Sequence, residues 1–75
     1  MGRLKILPYR EVKHRLESAG FREASQKGSH VKFVRRSSEF VDTVIVPEKH
    51  EVPAGTLRSI LSQAHITPEE WEELN

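Results

Sequence analysis

The sequence predicts an α+β fold, a three-stranded antiparallel sheet in the order α-β-β-β-α with two helices on one face and a short C-terminal helix. Three observations carry this. Apolar residues recur at helical spacing in two separate stretches, Tyr9, Val12, Leu16, Ala19 and Leu57, Ile60, Leu61, Ala64. Between them lie strand-like runs separated by two turn signals, Lys27-Gly28 and Ser37-Ser38-Glu39. A three-stranded sheet cannot bury both its faces alone, so the two helices are expected on one face and the other face is expected open.

The elements follow in order. Pro8 suits a first helical position, where a missing N–H costs nothing, and Gly20 is a stop, so helix one is expected over Pro8–Ala19. Phe21–Gln26 reads as a short strand. Gly28 is free to take positive φ in the turn that follows. Ser29–Arg36 alternates, placing Val31 and Phe33 toward the core and His30, Lys32, Val34 and Arg36 toward solvent. Phe40–Val46 is rich in β-branched residues and reads as the third strand, ended by Pro47. Glu48–Gly55 is a loop, and Gly55-Thr56 reads as the start of helix two. Thr67-Pro68-Glu69-Glu70 is a capping box that opens a last short helix with Trp71 and Leu74.

Seventy-five residues make a single domain, expected over 1–75, with a thin core. There is no cysteine, which excludes disulfides and cysteine-ligated metals. No apolar run approaches the roughly 18 residues of a membrane span, and the basic N-terminus lacks a signal-peptide core. A cytoplasmic protein that does not enter the membrane is expected. The net charge of +1 hides an asymmetry. Residues 1–36 hold ten Lys and Arg against three Glu, whereas residues 37–75 hold two against eight acids. The basic half is the electrostatic footprint of a polyanion partner; the plain alternative is two charged halves that only solvate a small domain.

The stretch Lys27-Gly28-Ser29-His30-Val31-Lys32-Phe33 concentrates the candidates. Histidine titrates near neutrality, so His30 on the open face can give or take a proton from a ribose 2′-hydroxyl or a leaving oxygen. Lys27, Lys32 and Arg36 can hold a phosphate and stabilise its charge, and Ser29 can hydrogen-bond it or simply finish the turn. His50, in the loop before helix two, is a further phosphate-binding candidate. For His30 and His50 alike, a solvated surface histidine is the plain alternative. His14 and His65 read as structural or incidental. No two histidines stand at i, i+4, and Asp42 is the one strand carboxylate with a chance of facing inward, so neither a metal site nor a cofactor is expected.

Taken together, Gly20-Phe21, Lys27-Gly28-Ser29-His30, Val46-Pro47 with His50, and Gly55-Thr56-Leu57-Arg58-Ser59-Ile60-Leu61 with Gln63-Ala64 resemble the HicA (YcfA-like) toxins over about Leu7 to Trp71. The resemblance implies a fold like the double-stranded RNA-binding domain and a metal-independent ribonuclease that cleaves mRNA and arrests growth. It implies His30 as the catalytic residue and a HicB antitoxin as the partner that covers it. Two departures stand out. His65 occupies a place where that family usually has glycine, and the tail Glu69-Glu70-Trp71-Glu72-Glu73 is unusually acidic. The competing function is a binding module that holds duplex RNA by shape without cutting it.

Overall fold

Pro8 starts the first helix from just outside it. In the computed structural model, which describes residues 4–74, Pro8 is extended (φ −68°, ψ 153°) and caps α1, Tyr9–Ser18. It therefore stands one place before the expected first helical position. Its carbonyl accepts the first helical hydrogen bonds, from the N–H groups of Glu11 and Val12. Val12 and Leu16 are fully buried along one face of α1. The helix ends in a Schellman motif: Gly20 takes φ 102°, its N–H reaches the Glu17 carbonyl, and the Phe21 N–H reaches the Leu16 carbonyl. Leu16 and Phe21, the residues that this motif brings together, are both core residues.

Three strands follow, β1 Arg22–Lys27, β2 His30–Arg36 and β3 Val41–Pro47, in one antiparallel sheet of order β1-β2-β3. The boundaries shift from the expected ones for physical reasons. Phe40 stays outside β3, in a turn that the Ser37 hydroxyl organises by accepting from the Glu39 and Phe40 N–H groups. Pro47 does not stop the strand but is its last paired residue, opposite His30. An edge strand tolerates proline where the missing N–H would have faced outward. No residue of β1 is buried, so that strand is held by its ladder to β2 and not by core packing. A bulge at Ala24 separates the pairs Glu23–Phe33 and Ser25–Lys32.

The expected alternation of β2 holds. Val31 and Phe33 are buried, and His30, Lys32 and Arg36 are exposed. On β3 the buried set is Asp42, Val44 and Val46. Both helices cover this one face, where Val12 and Leu16 of α1 join Leu57, Ile60 and Leu61 of α2 (Ala54–Ala64) over the strand valines and Phe33. Helix α2 begins one residue before the expected Gly55, capped by an extended Pro53. A backbone bridge between Leu7 and Val52 fastens the chain before α1 to the loop before α2.

The exit from α2 keeps the glycine geometry without the glycine. His65 takes the left-handed conformation (φ 58°, ψ 42°), with the His65 and Ile66 N–H groups bonded to the Ser62 and Leu61 carbonyls in a second Schellman motif. Thr67 then forms the expected capping box with Glu70 and starts α3, Pro68–Glu73. The Glu70 carboxylate, which accepts from the Thr67 backbone N–H at 2.8 Å, lies below the ordinary glutamate range, chiefly through that bond. Trp71 of α3 enters the core, and Arg15 of α1 stacks 5.4 Å from its ring and donates to its carbonyl oxygen. None of the described helices is long and apolar enough to cross a membrane.

Candidate nucleic-acid interface

The open face of the sheet is built by one turn and one register. Gly28 and Ser29 link Lys27 to His30, which face each other in the ladder. Gly28 has φ +61° and Ser29 is not left-handed. Positive φ at the first central position alone is the pattern of a type II′ hairpin turn, which calls for glycine there and matches the twist of the strands. The turn fixes the register, and the register decides where His30 points: a slip of one residue would send it to the core side. An added Cβ at Gly28 would meet no atom within 4 Å, so the constraint is the backbone and not space. We expect Gly28→Ala to lower the melting temperature by roughly 5–10 °C, with Gly28→Asn milder. A variant that melts like the parent would exclude the left-handed turn.

From that starting point the outward positions are Arg22, Ser25 and Lys27 on β1, His30, Lys32, Val34 and Arg36 on β2, and Val41, Thr43, Ile45 and Pro47 on β3. His30 to Arg36 spans about 20 Å of strand. The lane is cationic without a carboxylate. Both strand acids, Glu23 and Asp42, face the helix side, where they pair with Lys13 and Arg35 at 3.1 and 2.9 Å. Among the described residues the side chains of Lys27, His30, Lys32 and Arg36 have no hydrogen-bond or ion-pair partner. No described residue therefore engages the Lys27, Lys32 and Arg36 cations or the His30 imidazole. Arg22 shares the register but not the role, because its guanidinium donates to the Glu17 and Phe21 carbonyls at the end of α1.

The loop after β3 is tied to the same turn. The Glu48 N–H donates to the Ser29 carbonyl at 2.6 Å, and the Gln26 amide bridges the Glu48 carboxylate and the Gly28 carbonyl. Ser29 thus supplies a backbone anchor, and its exposed side chain remains at the mouth of the lane. His50 lies two residues beyond this anchor but lines a different recess, with Pro8, Tyr9, Arg10 and Lys49. The structure therefore gathers Lys27, Ser29, His30, Lys32 and Arg36 on one face and sets His50 in a recess that His30 does not line. Arg10 and Lys49, which sequence reasoning passed over, share that recess with it. Burial and the Glu23 carboxylate push the Tyr9 hydroxyl above its usual range, so it stays a neutral donor there. Among the described residues no three His, Asp or Glu side chains converge as a metal-ligand set.

A second polar cluster lies on the helix side of the same strands. Arg35 donates to Asp42 at 2.9 and 3.3 Å, to the Ala19 carbonyl at 3.2 Å and to the Ala64 carbonyl at 2.9 Å. Its guanidinium stacks on the Phe21 ring at 4.6 Å. His65 Nδ1 completes the group, 2.8 Å from the other Asp42 oxygen. One arginine thus joins the C-terminal ends of α1 and α2 to the sheet, where cations suit the helix dipoles. This cluster holds the fold together and contributes nothing to the open face.

A comparison with curated proteins finds no match. The family model of the HicA toxin of bacterial toxin–antitoxin systems matches residues 9–66, from the first residue of α1 to the residue after His65. That span contains the turn, the cationic lane, His50 and the Arg35 cluster, and the chain belongs to the HicA toxin family.

Proposed function

We propose that this toxin is an endoribonuclease that cuts mRNA without a metal ion, with His30 as its acid–base residue. The observation that supports it is His30 itself, an exposed histidine with no partner among the described residues, flanked by Lys27, Lys32 and Arg36 on a sheet face to which no described strand residue contributes a carboxylate. The imidazole takes the proton of a ribose 2′-hydroxyl. The 2′-oxygen bonds to the adjacent phosphorus as the bond to the 5′-oxygen breaks, and that oxygen takes a proton from solvent. The products are a 2′,3′-cyclic phosphate and a 5′-hydroxyl. Lys27, Lys32 and Arg36, with the Ser29 hydroxyl, stabilise the charge that gathers on the phosphate. His50 binds phosphate further along the RNA, together with Arg10 and Lys49.

Membership of a toxin–antitoxin family implies an antitoxin partner. In this reading a HicB-type antitoxin silences the toxin by covering His30 and the cationic lane, in the cytoplasm where mRNA is translated.

Incubation with synthetic RNA in excess chelator tests the chemistry. Cleavage is expected, with cyclic phosphate ends, and a single 2′-deoxy substitution at the cut position is expected to block it. A requirement for a divalent ion, or cutting of the deoxy-substituted site, would sink the mechanism. Tight, salt-sensitive binding that leaves the RNA intact would instead establish a non-catalytic RNA-binding module.

A further inference from the structure

The open face is divided lengthwise. Lys27, Lys32 and Arg36, with His30 among them, make a cationic lane over β1 and β2, and beside it β3 presents Val41, Thr43, Ile45 and Pro47. Val41 is 52 % exposed and Ile45 38 %, although solvent-facing positions of an antiparallel sheet are ordinarily polar. Neither belongs to the buried core cluster. Ile45 stands opposite Lys32. Its N–H points away from β2, to the Gln63 side-chain oxygen at 3.1 Å. Lys32 and Ile45 are therefore a non-hydrogen-bonded pair, the kind in which side chains stand closest, with Cα atoms about 4.5 Å apart. An apolar surface is held against a phosphate-binding cation and diagonal to His30.

We propose that the two lanes divide the work on one strand of RNA: the cationic lane holds the sugar–phosphate backbone, and Ile45 is the platform for the base of the nucleotide being cut, so that the substrate is single-stranded. This rests on the ribonuclease reading of His30. Sequence-tolerant proteins hold single strands with a basic track beside side chains on which bases lie, most often aromatic ones, and Ile45 offers an aliphatic surface in that place. A duplex offers no such match. Its bases are stacked inward, out of reach of a flat sheet, and its regular stacking keeps the 2′-hydroxyl out of line with the departing 5′-oxygen. An unstacked nucleotide satisfies both requirements at once.

The test uses a labelled 2′-O-methyl oligoribonucleotide of about 10 nucleotides, which cannot be cut, alone and annealed to its complement. The binding result is therefore independent of whether the chain is a nuclease, which the cleavage assay on unmodified RNA decides separately. The parent chain is expected to bind the single strand at least about tenfold more tightly than the duplex. Ile45→Ser is expected to weaken single-strand binding roughly tenfold while leaving the salt dependence unchanged, because the lost contact is apolar. Ile45→Phe, which enlarges the platform, is expected to bind at least as tightly as the parent, and it keeps the test standing if the serine variant melts early. Equal affinity for duplex would overturn the proposal. So would a folded Ile45→Ser that binds like the parent.

Discussion

His30→Ala is expected to slow RNA cleavage by about 10²- to 10⁴-fold, the usual worth of a positioned acid–base group, while the protein stays folded. The two effects separate because of where His30 stands. Its side chain is exposed and has no partner among the described residues, so its removal leaves no orphaned group and no cavity. The turn before it is held by the backbone of Gly28 and by the hydrogen bond from Glu48 to the Ser29 carbonyl, neither of which involves the imidazole. The melting temperature of His30→Ala should therefore lie within about 2 °C of the parent, as for most exposed substitutions. RNA affinity should fall little, since the lane keeps its cations. Lys32→Ala should differ by weakening binding as well as cleavage, with a salt slope smaller by about one. Expression in a bacterial host should reproduce the difference as growth arrest by the parent and growth with His30→Ala. A His30→Ala protein that cuts at the parental rate would remove His30 from the mechanism.

How much of this was legible before the structure depends on how local the cause is. His30 was legible because two local rules place it. A glycine turn fixes the register, and alternation over one strand fixes the face. Val12, Val31, Phe33 and the capping box at Thr67 follow from equally short patterns, and each is where the sequence put it. The Arg35–Asp42–His65 cluster was not legible. In sequence Arg35 is half of an Arg-Arg pair that reads as solvated charge, and its partners lie 7, 16 and 29 positions away. Alternation alone would have sent Arg35 to the core side, but no local pattern says that two helix ends and a buried carboxylate await it there. His65 shows the same limit. Its histidine-for-glycine exchange was visible, but the compensation comes from Asp42 on a strand 23 positions away. Gln63 is a third case. It could be read as part of a motif, but its purpose is tertiary: its side chain occupies the outward N–H of Ile45 on an edge strand that would otherwise invite another strand.

The largest expected loss of stability belongs to Arg35. Arg35→Met keeps the apolar stem against Phe21 but removes every donor of the fork, and it should lower the melting temperature by roughly 10–20 °C. Three groups lose the Arg35 hydrogen bonds together: the Asp42 carboxylate, whose side chain is only 2 % exposed and which keeps only His65, and the terminal carbonyls of α1 and α2. Arg35→Lys should recover only part of the loss, because one ammonium cannot reproduce a planar fork that serves a carboxylate and two carbonyls. A double variant, Arg35→Met with Asp42→Leu, should be more stable than Arg35→Met alone, since it removes the buried charge along with its partner. The same contact contributes to acid sensitivity, as does the depressed Glu70 carboxyl. The Arg35 hydrogen bond is the largest cause holding the Asp42 carboxyl below its ordinary value of 3.8, with His65 adding to it against the opposing effect of burial. A carboxylate whose folded value is depressed contributes fully above its unfolded value and loses that contribution as the pH falls through the folded one. Melting temperature should therefore hold from neutrality down to about pH 5 and fall below about pH 4, with Asp42→Asn starting lower and falling less steeply. An Arg35→Met protein that melts with the parent at pH 7 would show that the helix ends are held by core packing alone.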